Sequence, residues 1–155
     1  MNEQRLSFIS LKPDNEHYRA FFSFNEFVSN KIDIKTVPYC ASNTYKHYID
    51  SMRVKIKEIE AIRKNKLLIP ARVIWELGDL IFQLIYELKQ MSLEIDGLYD
   101  HLIRDLNLSR KRLEKIIIFR RYISNKETIP ESLNWGRCEK GTRRIAEKIQ
   151  KGIYY

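Results

Sequence analysis

The sequence predicts a mainly α-helical fold: a helical bundle containing a helix-turn-helix, preceded by an aromatic-rich N-terminal region with room for short strands. Three observations predict it. Only five Gly and four Pro occur in 155 residues, too few for a turn-rich β fold. From Thr44 onward, apolar residues recur at spacings of three and four, the period of a helix with one buried face. The composition, 44% hydrophobic and 31% charged, is that of a globular chain long enough for one ordinary domain, or one domain and an arm. The change of pattern divides the chain into an N-terminal region, residues 1–43, and a helical domain, residues 44–155, with the helix-turn-helix at 98–123.

In the N-terminal region, "RLSFISLK" alternates weakly, as a strand would, and "HYRAFFSFNEFVSNKI" suits a helix or a strand. "KIDIKTV" sets Ile32, Ile34 and Thr36 against Asp33 and Lys35, which suits a short strand. Pro13 and Pro38 punctuate it. Nine of the eighteen aromatics fall before residue 50, so the region is expected to bury itself against something.

The helical domain opens with "TYKHYIDSMRVKIKEIEAIRKNK", which places Tyr45, Ile49, Met52, Ile56 and Ile59 in one stripe. A second helix follows in "IPARVIWELGDLIFQLIYELKQM". Pro70 suits its first turn. Ile74, Leu77, Ile81, Leu84 and Leu88 repeat the stripe, and Val73, Leu80 and Ile85 widen it. Two such seams form a core or a dimer interface. Gly78 in mid-helix costs stability, so it signals the close approach of another backbone. "EIDG" ends this helix, with Asp96 expected to cap the next. "SNKETIPESLNWG" reads as a loop broken by Pro130 and Gly136. "EKGTRRIAEKIQKG" reads as a basic terminal helix with Ile145, Ala146 and Ile149 on one side.

The net charge is +8, and its position is informative. Residues 1–103 carry 14 Lys+Arg and 14 Asp+Glu; residues 104–155 carry 14 and 6, which leaves the whole excess in the last third. A cationic end beside a neutral one suits a polyanionic partner, although a solvated basic face has the same composition. The apolar runs fall well short of the ~18–20 residues of a membrane span, and no signal sequence opens the chain, so a soluble, cytoplasmic protein without a membrane partner is expected. Cys40 and Cys138 are too far apart in sequence to suggest a disulfide framework or a metal knuckle.

Within "LYDHLIRDLNLSRKRLEKIIIFRRYI", residues 98–123, the helix-turn-helix pattern is met position by position. Counted from Tyr99 over roughly twenty residues, the motif wants apolar side chains where Leu102, Leu106, Leu108, Leu113 and Ile116 stand. Asn107 takes the turn position that favours a left-handed backbone, and Ser109 the N-cap of the second helix. Ile103 departs from the pattern, where a small residue is usual. A step of about 100° per residue turns Lys111 and Lys115 outward, with Arg112 to one side. "IIIFRRYI" is apolar nearly all round, so both its sides must be covered. Arg120 and Arg121 are therefore expected as partly buried partners.

Three segments, "IWELGDLI" at 74–81, "LYDHLIRDLNLSRKRLEKIIIFRRY" at 98–122 and "LNWGRCEKGTRRI" at 133–145, resemble the helical N-terminal domain of YhcG-like proteins, which usually precedes a PD-(D/E)XK-type nuclease domain. The matching residues are Trp75, Glu76, Leu77 and Gly78; Ser109, Leu113, Phe119 and Arg120; and Leu133 and Trp135. The resemblance covers about residues 70–146 and implies DNA binding in a restriction-like or mobile-element setting. No nuclease domain follows in this sequence, and the aromatic N-terminal region has no counterpart in that domain.

The sequence thus leads to a DNA-binding protein, a homodimer on double-stranded DNA. Ser109, Arg110, Lys111, Arg112 and Lys115 would lie at the groove, and Arg143, Arg144 and Lys148 on phosphates. A protein-interaction module built on the two long helices, with a separate protein partner, is the alternative. A third reading is a small Mg²⁺-dependent nuclease. Asp14, after Pro13, and the Asp33-Ile34-Lys35 tripeptide spell a PD-(D/E)XK site, but about forty residues are too few for the sheet it needs. His17, His47 and His101 are isolated and argue for no metal, and His101 is expected to be solvated. No Gly-rich phosphate loop is present and no cofactor is implied.

Overall fold

A computed structural model describes residues 9–11, 20–24, 37–91, 93–95 and 97–154. Six α-helices occur among them: α1 (Val37–Lys64), α2 (Ala71–Gln90), α3 (Leu98–Leu106), α4 (Arg110–Tyr122), α5 (Trp135–Glu139) and α6 (Thr142–Gln150). Three short strands accompany them: β1 (Ile9–Leu11), β2 (Ala20–Phe24) and β3 (Leu93–Ile95). The fold is mainly helical, as expected. None of the described helices is long and apolar enough to cross a membrane. The chain divides into two compact units, Met1–Asp50 with Phe82–Leu108, and Ser51–Ile81 with Ser109–Tyr155. Helices α1 and α2 each contribute one half to each unit.

In the first unit, the strands form an antiparallel sheet in the order β1-β2-β3. Ile9 pairs with Phe22 and Leu11 with Ala20, and Phe22 and Phe24 pair with Ile95 and Leu93. β1 and β2 fall within the two stretches read as possible strands. The "KIDIKTV" strand lies outside the described residues, up to Val37. There α1 begins, seven residues before Thr44, with Pro38 in its first turn, where a missing N–H costs nothing. Tyr45 and Ile49 of the α1 stripe are buried in this unit, as are Tyr48 of the same helix, Leu84 and Leu88 of α2, and Leu102, Leu106 and Leu108. The Tyr48 hydroxyl donates to Glu87 Oε1 at 2.6 Å, which joins the two long helices.

The cap of α3 differs from expectation. Gly97, with φ 65°, occupies the N-cap position without a side-chain cap, and Asp96 lies outside the described residues. A residue held in the left-handed region favours glycine, which explains the choice. His101 also differs: it is buried, and Arg104 Nη2 donates to its Nδ1 at 3.1 Å. At 100° per residue, His101, Asp105, Leu102 and Leu106 span one continuous arc of about 140°, so His101 is the edge of the buried face. Asp105 accepts from the Tyr45 hydroxyl at 2.5 Å and pairs with Arg104 at 3.0 Å.

The second unit is built around α4. Leu113, Ile116, Ile117 and Phe119 are buried together with Met52 and Ile59 of α1, Ile74, Trp75, Leu77 and Ile81 of α2, and Ile145, Ala146 and Ile149 of α6. α4 and α5 both pack on α6. Gly78 fulfils its expected role: a Cβ there would lie 2.7 Å from Arg120 Cβ and 3.1 Å from the Ile116 carbonyl oxygen. That approach lets Arg120 stack on the Trp75 ring at 4.8 Å and donate to Asp79 Oδ1 at 2.8 Å. The Trp75 indole N–H donates to the Ile123 carbonyl at 2.8 Å, and Phe119 meets Trp135 edge-on at 5.2 Å. Both faces of "IIIFRRYI" are thus covered, by α6 and by the first half of α2. Arg121, expected to be partly buried beside Arg120, is exposed; one residue step turns it 100° away from Asp79.

The segment between α4 and α5 is an ordered strap. The Arg72 side chain donates to the carbonyls of Ile129 and Glu127 at 2.8 and 3.3 Å, holding a 3-10 turn at Lys126–Thr128. Pro70 and Asn134 form a β-bridge, flanked by Ala71 N–H to Leu133 O at 2.9 Å and Trp135 N–H to Ile69 O at 2.7 Å. The expected terminal helix is α6, whereas α5 takes up the end of the stretch expected to be a loop, where Gly136 was expected to break the chain. Asn134 caps α5 by accepting from the Arg137 N–H, so Gly136 is helical, and Gly141 starts α6.

Candidate nucleic-acid interface

The turn between α3 and α4 has the local geometry that its residues predict. Asn107 has φ 53°, and the Leu108 N–H reaches back to the Ile103 carbonyl at 3.2 Å. This six-to-one bond and a left-handed residue are the marks of a Schellman stop. Ser109 Oγ accepts from the Arg112 N–H at 3.2 Å and so caps α4. Leu102, Leu106, Leu108, Leu113 and Ile116 are all buried, and Ile103, the departure from the pattern, is half-buried.

All eight of the predicted interface residues belong to the second unit. Ser109, Arg110, Lys111 and Arg112 are exposed at the start of α4, and Lys115 is half-exposed one turn on. Lys111, Arg112 and Lys115 have no ion-pair partner among the described residues. On α6, Arg143, Arg144 and Lys148 are exposed while Ile145, Ala146 and Ile149 face inward. Arg143 is held rather than loose: it pairs with Glu147 at 3.1 Å and lies over the Tyr122 ring of α4 at 5.3 Å. Glu147 first, then Tyr122, hold its guanidinium above the ordinary arginine range. The C-terminal ends of the two helices are tied where Gln150 Oε1 accepts from the Ser124 N–H at 3.0 Å. The α4 and α6 cations therefore sit on one rigid helix pair.

The charge of this unit exceeds that of the chain. Residues 51–81 carry 7 Lys+Arg and 4 Asp+Glu, and residues 109–155 carry 13 and 5, a net +11. The residues of the first unit carry 8 and 11, a net −3. Exposed cations that the sequence did not assign to the interface add to the surface: Arg121, Arg137, Lys140 and Lys151. Arg63, Lys64 and Lys66 at the end of α1 are exposed too. An acid-free run from Ala61 to Trp75 was the available signal for these last three.

The nuclease reading finds no such geometry to describe: Asp14, Asp33 and Lys35 lie outside the described residues. No group of three potential metal ligands occurs among the described residues. Cys138 is a buried free thiol, pushed up to about 12 by burial, with a smaller contribution from Glu139. A thiol so raised is a packing group rather than a nucleophile. The stripes of α1 and α2, open to reading as core or as dimer seam, are buried within the chain, apart from the half-buried Ile56 of α1 and the half-buried Val73, Leu80 and Ile85 that widen the stripe of α2. The chain matches no protein-family model, no curated protein and no solved structure.

Proposed function

We propose that this chain binds double-stranded DNA through the basic face of its second unit, with α4 in the major groove and α6 on the flanking phosphates. One observation carries the reading. The two helices that pack on each other bury their apolar residues and leave Arg110, Lys111, Arg112, Lys115, Arg143, Arg144 and Lys148 at the surface of a unit of net charge +11. Such a field attracts a polyanion and costs self-repulsion when no polyanion is bound. The positive end of the α4 dipole lies at Ser109 and Arg110, where an approaching phosphate gains from it. Arg112 and Arg110 have the fork geometry for guanine edges, while Lys111 and Lys115 act as point charges on phosphates. The resemblance to YhcG-like helical domains points the same way.

The protein-interaction alternative draws less support, because Tyr45, Ile49, Met52 and Ile59 of α1 and Ile74, Leu77, Ile81, Leu84 and Leu88 of α2 are spent on the chain's own core. Fluorescence anisotropy of a labelled duplex against salt tests the proposal. Wild type should bind with a steep negative slope of log affinity on log salt. Lys111→Ala/Arg112→Ala/Lys115→Ala should lower the slope by about 2, since the two lysine–phosphate contacts contribute roughly 0.9 each, and should lose affinity further through Arg112. Absence of binding at ~50 mM salt would refute the proposal, because counterion release is then at its strongest. Stoichiometry on the duplex reports whether a homodimer or a single chain binds in the cytoplasmic setting expected for it.

A further inference from the structure

The connection between α1 and α2 presents two leucines to water in a fixed geometry. Leu67 is 63% exposed and Leu68 74%. Lys66 has φ 57°, its N–H reaches the Arg63 carbonyl at 3.0 Å, and the Leu67 N–H reaches the Ile62 carbonyl at 3.1 Å. This is a Schellman stop, which usually tucks the residue in the place of Leu67 back onto its own helix. Here that residue stands out instead. On the other side, the Pro70–Asn134 bridge and the Ile69–Trp135 hydrogen bond tie the connection to the start of α5. The tip is therefore held at both ends. A long apolar pair kept in water on an ordered turn is a surface awaiting a cover.

The surroundings say what kind of cover. Arg63, Lys64 and Lys66 are exposed on the α1 side, and Arg137 is exposed on α5, next to the bridged Asn134–Trp135 segment. No Asp or Glu occurs between Ala61 and Trp75. Glu127 and Glu131 beyond the bridge are engaged with Arg72, so the cations of the tip dominate its edge. An apolar wedge with a cationic edge matches a partner with a negative edge and an apolar interior that can be opened. A base step in the minor groove has both: phosphates on either side and stacked bases between.

We propose that Leu67 and Leu68 form a wedge that enters the DNA minor groove and kinks the duplex, with Arg63, Lys64 and Lys66 on the bordering phosphates. This inference rests on the DNA-binding reading and adds a second contact from the same unit. Wedges of this kind bend DNA by roughly 20–90° toward the major groove. The bend would be part of site selection, since flexible pyrimidine–purine steps open at least cost.

The test uses the full chain and a duplex of about 30 base pairs carrying a donor and an acceptor dye at its ends, with 2-aminopurine at a central TA step. Wild type is compared with Leu67→Ala/Leu68→Ala, whose changes lie in water and leave the core intact. Wild type should raise both end-to-end energy transfer and 2-aminopurine fluorescence. The variant should bind with an unchanged salt slope and lose both signals, with affinity changed less than tenfold, because the lost apolar burial is offset by the unstacking it no longer has to drive. Binding by wild type without either signal overturns the wedge and leaves the DNA-binding reading standing. So does a variant that bends DNA as wild type does. So does tip-dependent binding to phosphatidylserine vesicles with the duplex left straight, since the cover is then a lipid surface. No binding of wild type to the duplex at ~50 mM salt overturns the DNA-binding reading, and the wedge with it.

Discussion

Replacing Gly78 by alanine sets two effects against each other. Alanine is the better helix former by about 1 kcal/mol, so propensity alone predicts a more stable protein. The local geometry predicts the opposite. The new Cβ would stand 2.7 Å from Arg120 Cβ and 3.1 Å from the Ile116 carbonyl oxygen. Carbon atoms in contact prefer roughly 3.5–4.0 Å, so α4 must retreat by about 1 Å at this crossing. Neither obstructing atom is the free end of a side chain, so the backbone itself has to move. Overpacking of this kind costs about 1–3 kcal/mol. The retreat also pulls Arg120 from Asp79, at 2.8 Å, and from the Trp75 ring, at 4.8 Å, which places the cost at the upper end. The net expectation for Gly78→Ala is a loss of about 1–2 kcal/mol. Both tryptophans, Trp75 and Trp135, belong to the second unit, so urea unfolding followed by intrinsic fluorescence reads the stability of that unit directly. A midpoint shifted upward would mean that helix propensity dominates and that the close approach of α2 and α4 is misjudged.

Other outcomes follow from single residues. Leu113→Ala removes a side chain with no solvent exposure and should cost about 2–5 kcal/mol in the same unfolding experiment, whereas a change under about 1 kcal/mol would mean the site collapses or is not core. Ser109→Ala should cost about 0.5–2 kcal/mol through the lost cap on the Arg112 N–H, and Ser109→Asp should restore it; equal stability of all three would rule the cap unimportant. The folded protein holds the Cys138 proton more tightly than the unfolded chain, with the thiol raised to about 12 from 9.0. Its contribution to stability is intact below pH 9 and is lost as pH rises toward 12. In a Cys40→Ser background, native Cys138 should react with a thiol reagent at pH 8 far more slowly than the urea-unfolded chain; equal rates would refute its burial.

The features legible in the sequence are those decided within a few residues. The turn at Asn107 and the cap at Ser109 depend on local backbone geometry, and both stand where the pattern put them. The stripes Tyr45–Ile59 and Ile74–Leu88 follow from helical period, and Gly78 from the cost of glycine in mid-helix. What was not legible depends on residues distant in the chain. The sequence predicts only a helix break where β3 stands, because a three-residue strand acquires meaning only from its pairing with β2, about seventy residues earlier. Its charged neighbours Asp100 and Arg104 predict a solvated His101, yet it shares an arc with Asp105, which accepts from Tyr45 on α1. Leu67 and Leu68 looked like part of a connection. The ladder between Pro70 and Asn134, which fixes that connection, joins segments more than sixty residues apart. The charge split is similar: the sequence concentrates +8 in its last third, but folding adds the cations of residues 51–81 to it, which raises the unit to +11.

Adjacent arginines on α4 separate structural from functional charge. Arg120 and Arg121 have the same composition and nearly the same place in the sequence. Arg120 donates to Asp79 and to the Ile123 carbonyl at 2.8 and 3.3 Å and stacks on Trp75, with only 19% of its side chain exposed. Arg121, one step on, faces solvent. Truncating Arg120 removes a charge-assisted hydrogen bond to Asp79, itself only 24% exposed, and a second one to the Ile123 carbonyl. Each charged hydrogen bond is worth about 1.5–3 kcal/mol, so Arg120→Ala should lower stability by that order. At a salt concentration where the protein stays folded, its slope of DNA affinity on salt should match wild type. Arg121→Ala should do the reverse. Stability should change by less than about 0.5 kcal/mol. The salt slope should fall by up to about 0.9 if Arg121 meets a phosphate. The pair thus asks whether the basic face extends past the first two turns of α4. Loss of slope in Arg120→Ala, with Arg121→Ala silent, would mean that the guanidinium leaves Asp79 for the nucleic acid, and the assignment of Arg120 to the core would then be wrong.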